Sequence, residues 1–246
     1  MDRLIYTAMT GAKQVVAQQT TVSHNLANVS TTGFRAQIDA FRAFPVEGAG
    51  LPTRTQVLDD SVAADLRPGA IQQTGRDLDV AIQGAGWISV QGSDGTEAYT
   101  RSGALRVSEN GLLQTQTGQI VLGDGGPITI PPDARLMVAQ DGSLSSLIPG
   151  IAPATPEIFG RIKLVNPPVD QLVRGDDGLF RTRSGTPADV DGQVVLLGGA
   201  LEGSNVNVVD AMVSMIGLGR QYDTQMSLLK NVESNASKAD QILALG

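Results

Sequence analysis

The chain has 246 residues, a net charge of −7, 41% hydrophobic residues and only 4% aromatics. That length allows one large domain or two modest ones, and the composition is neither disordered nor fibrous. An acidic chain without a Lys/Arg run is a poor nucleic-acid binder, and the absence of cysteine excludes disulfides, thiolate metal sites and cysteine nucleophiles.

Residues 1–47 contain only Gly11 and Gly33, and all the prolines lie from Pro45 to Pro187. Helix breakers are therefore crowded into the middle and scarce at both ends. The opening segment, Met1-Asp2-Arg3-Leu4-Ile5-Tyr6, lacks the basic and apolar regions of a signal peptide. No stretch approaches the roughly 20 apolar residues that span a bilayer. Ile5, Ala8, Ala12, Val15, Gln19, Val22, Leu26 and Val29 alternate spacings of three and four. This seam predicts an amphipathic helix over residues 3–28, ended by the turn chemistry of Ser30-Thr31-Thr32-Gly33. The expected helical segment is residues 1–42, followed by an extended, weakly structured connector over 43–75.

Residues 76–203 predict a central β domain of short strands joined by tight turns. Strands are expected at 87–90, 98–100, 105–107, 112–114, 120–122, 128–130, 136–138, 158–165, 179–183 and 193–197. Ser93-Asp94-Gly95, Glu109-Asn110-Gly111 and Asp141-Gly142 supply hairpin turns. Residues 204–246 predict a second long helix, with Asn207 as N-cap and Asp210 in the first turn. Its three-four seam includes Val208, Met212, Met215, Gly219, Tyr222, Met226 and Leu229. The fold class is thus α+β: discontinuous N- and C-terminal coiled-coil-like helices flanking an all-β sandwich or barrel.

Candidates for catalysis are weak. The sole histidine, His24, lies on the first helix, and no serine has a nucleophile elbow around it. Asp59-Asp60 and Asp176-Asp177-Gly178 lack the spacing of a calcium loop. Gly84-Ala85-Gly86 lacks the third glycine of a dinucleotide fingerprint, and strand signals follow where a helix is required. No enzyme activity, cofactor, metal or small-molecule substrate is expected.

Three segments together are more specific. Ser23-His24-Asn25-Leu26-Ala27-Asn28-Val29-Ser30-Thr31-Thr32-Gly33-Phe34 resembles the N-terminal signature of the flagellar rod and hook family. Leu78 to Trp87, Tyr99-Thr100-Arg101-Ser102-Gly103 and Gly118 to Gly123 are similar to that family's central β module. Leu201-Glu202-Gly203-Ser204-Asn205-Val206-Asn207, running on to Met212, resembles its C-terminal signature. The opening residues and the Leu-Glu-Gly-Ser-Asn form look most like a proximal-rod member, with a distal-rod member as the sibling alternative. A β-sandwich carbohydrate-binding or hydrolytic protein is the alternative from another class.

The resemblance implies a subunit exported by the flagellar type III apparatus without a cleaved signal. Copies of it would assemble helically with other rod proteins into the torque-transmitting rod that crosses the periplasm. It also implies roles in assembly for Asn25, Leu26, Asn28, Gly33, Phe34, Gly203, Ser204, Asn205, Val206, Met212, Met215 and Met226. Leu26 and Phe34 are expected as apolar anchors. Asn25 and Asn28 should satisfy backbone groups at the helix end, Gly33 should supply a positive φ, and Gly203-Ser204-Asn205 should turn the chain. The terminal seams are expected to await other copies and to become buried in the assembled tube.

Overall fold

A computed structural model describes residues 2–45, 55–131, 136–146 and 157–243. Two helices, α1 (Asp2–Ala27) and α2 (Val208–Leu243), enclose the strands in sequence. The strands are β1 (Gln37–Pro45), β2 (Thr55–Ala64), β3 (Ile71–Gln73), β4 (Val80–Gln83), β5 (Trp87–Gln91), β6 (Glu97–Thr100), β7 (Leu105–Val107), β8 (Leu113–Thr115) and β9 (Ile120–Gly123). They continue with β10 (Gly126–Pro127), β11 (Leu136–Val138), β12 (Ser143–Ser146), β13 (Glu157–Arg161), β14 (Leu164–Val165), β15 (Leu172–Arg174), β16 (Phe180–Thr182), β17 (Val195–Gly198) and β18 (Ala200–Glu202). The architecture is α+β, with terminal helices around a many-stranded antiparallel region.

The chain divides into two compact units. The helical unit comprises residues 1–29, 36–65 and 206–246; the β unit comprises residues 30–35 and 66–205. Residues 43–75 are therefore not a weakly structured connector throughout: β1 and β2 pair antiparallel from Gln37↔Ala64 to Pro45↔Thr55, with a bulge at Ala40/Phe41. The apolar alternation Ile38, Ala40 changes phase to Phe41, Ala43 at the bulge, so no unbroken period-2 pattern marks this strand in the sequence.

In the β unit a nine-stranded antiparallel sheet runs β15-β16-β6-β5-β9-β8-β7, with β10 on β9 and β14 on β5. A three-stranded sheet, β11-β12-β13, and the pairs β17-β4 and β18-β3 complete the described strands. Expected strand 158–165 is two strands, β13 and β14, joined to different sheets. Expected strand 128–130 is only an isolated bridge, Leu112↔Thr129. Apolar residues such as Ile88, Val90, Leu105, Leu113, Val121 and Leu196 alternate inward to form one core.

One turn recurs at 92–96, 108–112, 115–119, 139–143 and 175–179. In each, the first amide donates to the fifth carbonyl, and the amide of the fourth residue, a glycine, donates to the first carbonyl. This is a three-residue hairpin loop whose last position is left-handed, so glycine ends each loop. Aspartates at the third position of three of these loops accept from the amide two residues on: Asp94 from Thr96, Asp141 from Ser143 and Asp177 from Leu179.

Candidate assembly site

In the helical unit, α1 and α2 pack on each other antiparallel, with Gly11 opposite Gln225. Small residues at the crossing, Ala8, Gly11 and Ala12, let the backbones approach. Ala8, Ala12 and Val15 are buried, Val15 to 2% exposure. The seam of α1 predicted to await other copies is thus occupied by the chain's own second helix. Period alone could not choose between these partners, because a three-four stripe has the same form in both. Met215 and Met226 lie half-buried on the inward side of α2, but Met212 is exposed on its outer side. The cause is drift: about 3.6 residues per turn carries Met212 away from the line through Met215, Leu218, Tyr222 and Leu229.

Leu26 is half-buried near the end of α1. Asn25 bridges to the start of β1: its Nδ2 donates to the Gln37 carbonyl (2.9 Å) and its Oδ1 accepts from the Gln37 amide (2.8 Å). Asn28 Nδ2 donates to the His24 carbonyl at the helix end. Thr21 Oγ1 donates to Asp39 Oδ1 (2.6 Å). At the other helix, Asn207 Oδ1 accepts from the amides of Val209 and Asp210, capping α2. An open groove of about 560 Å³ runs among α1, β1 and α2, lined in part by Gln18, Thr21, Phe41, Gly217 and Leu218.

In the β unit, the segments leading to and from the helices are bound to each other. Gly33 has φ +68°, and a Cβ there would lie 2.3 Å from the Arg101 carbonyl carbon, so only glycine fits. Its amide donates to the Glu202 carbonyl (2.7 Å). Phe34 is buried, with the Arg174 guanidinium 4.8 Å from its ring centroid. The Asn205 amide donates to the Phe34 carbonyl and Asn205 Nδ2 donates to the Arg67 carbonyl. Gly203 donates its amide to the Ala70 carbonyl, and Ser204 is half-buried; Val206, the first residue of the returning helical unit, is half-buried too.

Between these segments lies a charge cluster that sequence reasoning missed. Glu202, 1% exposed, accepts from Arg35 Nη2 at 2.6 Å and from Arg101 Nη1 at 3.2 Å. The Arg35 and Arg101 side chains are 0% and 5% exposed. The Gly69 amide also donates to Glu202 Oε1 (2.8 Å). Arg101 Nη2 donates to the Gly84 carbonyl, and its guanidinium lies 5.3 Å from the Trp87 ring centroid. Burial pulls the Arg101 guanidinium below the usual arginine range, with Glu202 opposing the shift. A signal existed: Arg101 is the one charged residue of Tyr99–Gly103 and Glu202 the one charged residue of Leu201–Asn207, and Arg35 directly follows the first signature.

The cluster offers no bound nucleophile or acid–base pair. Among the described residues no group of three or more His, Cys, Asp or Glu could hold a metal ion. Its chemistry is that of a clamp. It joins positions 35, 101 and 202 of the chain where two crossing segments enter the β unit.

Three family descriptions match in chain order. They are "Flagella basal body rod protein" over residues 5–35, "Flagellar hook protein FlgE/F/G D1 domain" over 81–146 and "Flagellar basal body rod FlgEFG protein C-terminal" over 197–242. The chain belongs to the flagellar basal-body rod protein family. Within it, the chain is most like the proteins named FlgF. It is 45% identical to the flagellar basal-body rod protein FlgF of Escherichia coli (strain K12) and 44% identical to that of Salmonella typhimurium, in each case over 100% of both chains. It is 28% identical to the rod protein FlgG of Buchnera aphidicola subsp. Acyrthosiphon pisum, over 97% of this chain and 98% of that one.

Proposed function

We propose that this chain is a structural subunit of the flagellar rod, occupying its proximal segment and repeating along a helix to carry torque. End-to-end similarity to the FlgF proteins, well above that to FlgG, supports this reading over the distal-rod alternative. The work it does is mechanical, so it needs no catalytic centre. Its partners are copies of itself and other rod subunits, with the flagellar export apparatus delivering it across the inner membrane without a cleaved signal. A rod crossing the periplasm requires heterologous contacts that do not close, since closed symmetry ends growth. The clamp around Glu202 suits such a load: it ties the segments that lead to both helices into one β body.

A strain lacking this chain should halt before the hook is built, and the chain should copurify with isolated hook–basal bodies. Normal hooks and swimming in the deletion strain would refute the reading. Leu26→Asp should abolish motility without changing the melting of the β unit, which contains no part of α1.

A further inference from the structure

Of the eight asparagines in the chain, only Asn110 is followed by glycine; the others precede Leu, Val, Pro or Ala. The order matters chemically. A main-chain nitrogen can attack the side-chain amide carbon of the asparagine before it, and glycine leaves that nitrogen uncovered because it has no Cβ. Asn110 is exposed, at the third position of the 108–112 loop between β7 and β8.

That loop differs from its three aspartate-bearing sisters. Asp94, Asp141 and Asp177 each accept from the amide two residues on. In the 108–112 loop the corresponding amide, that of Leu112, donates to Ser108 Oγ instead, at 3.0 Å. The Asn110 side chain is therefore not what closes the loop. The neighbouring nitrogen, by contrast, is firmly held. The Gly111 amide donates to the Ser108 carbonyl (2.9 Å), and the Gly111 carbonyl accepts from the Ile130 amide (2.7 Å). Gly111 has φ +76°, and a Cβ there would lie 2.8 Å from the Ile130 carbonyl oxygen. To reach the Asn110 side chain, the Gly111 nitrogen must lose its proton and turn away from Ser108. The folded loop thus withholds the attacking atom, and the unfolded chain leaves it free.

We infer that Asn110 is a spontaneous deamidation site gated by folding. The Gly111 nitrogen bonds to Asn110 Cγ, its proton passes to solvent, and the side-chain nitrogen leaves as ammonia. Water then opens the five-membered succinimide at either carbonyl and leaves aspartate or isoaspartate at position 110. The fold separates these products. Aspartate stands where the three sister loops already carry it. Isoaspartate adds a carbon to the main chain before Gly111 and pulls that residue away from Ser108 and Ile130. A chain that folds promptly keeps Asn110, and a chain held unfolded acquires either an added negative charge or a damaged loop.

Full-length protein is incubated at neutral pH, in buffer and in guanidinium chloride, and each asparagine is followed by peptide mass spectrometry with isoaspartyl methyltransferase labelling. Deamidation of Asn110 should run roughly tenfold or more faster in denaturant than in buffer. In denaturant it should also outpace every other asparagine. Equal rates in the two solvents overturn the gate, and an intact Asn110 in denaturant overturns the site. Asn110→Asp should melt within about 2 °C of the native protein. Once denaturant is removed, the isoaspartate form should melt roughly 4–8 °C lower, through loss of both Gly111 hydrogen bonds. Native melting of that form overturns the separation of products. Ser108→Ala removes the acceptor of the Leu112 amide and loosens the loop. It should speed deamidation of the folded chain about fivefold and leave the denatured rate unchanged. An unchanged rate in the folded variant overturns gating by this loop.

Discussion

Replacing Glu202 with glutamine keeps the side chain's shape and an acceptor for the Gly69 amide, and removes only the charge. Two guanidiniums then remain at 0% and 5% exposure without a counter-ion. Arg35 Nε and Nη1 and Arg101 Nε already lack hydrogen-bond partners, so the site has no spare acceptor to take over. Removing one partner of a buried ion pair costs roughly 3–5 kcal/mol, because the abandoned charge stays desolvated. For a domain of about 150–250 residues each kcal/mol shifts the melting temperature by about 2–4 °C. Glu202→Gln should therefore lower the melting temperature of the β unit by roughly 6–20 °C, read by circular dichroism at β wavelengths. A cycle with Arg35→Met isolates the pair: Glu202→Leu/Arg35→Met should be less damaging than the sum of its single changes, with a coupling of about 1–3 kcal/mol. A Glu202→Gln melt within about 2 °C of the native value would refute the clamp.

Asn25→Ala removes both hydrogen bonds to the Gln37 backbone and should destabilise the helical unit by about 1–3 kcal/mol in urea titration of its helical signal. Gly103→Ala places a Cβ 1.7 Å from the Val80 carbonyl oxygen and should abolish the folded β unit, seen as loss of cooperative melting. Hydrogen bonds from Arg181 hold the Asp177 carboxyl below the usual carboxylate range, and those from Ser143 do the same for Asp141. A lowered folded value means stabilisation that is present at neutral pH and is lost as pH falls through and below that range. Asp141→Asn/Asp177→Asn should therefore flatten the fall of melting temperature between neutral pH and pH ~3, and an unchanged acid slope would contradict the assignment.

Much of the fold was legible because its signals are local. A stripe at three-four spacing specifies a helix whatever covers it. An Asp-Gly or Asn-Gly loop specifies a hairpin because only a residue tolerant of positive φ can occupy its last position. Both long helices, the hairpin turns at 94–95, 110–111 and 141–142, and the Asn207 cap follow from such short-range chemistry. The signatures at 23–34 and 201–212 marked the family for the same reason: their residues are read in order along the chain.

What occupies each face was decided only in three dimensions. The stripe of Ala8, Ala12 and Val15 is identical in sequence whether it meets a neighbouring copy or the chain's own α2, and the packed structure chose α2. The hairpin of β1 and β2 joined the helices, although its residues had the composition of a connector. Arg35, Arg101 and Glu202, scattered over most of the chain, became one buried cluster because the fold brought three distant backbones together. A charge in a sequence is presumed solvated; tertiary packing removed the water and turned these three into a clamp.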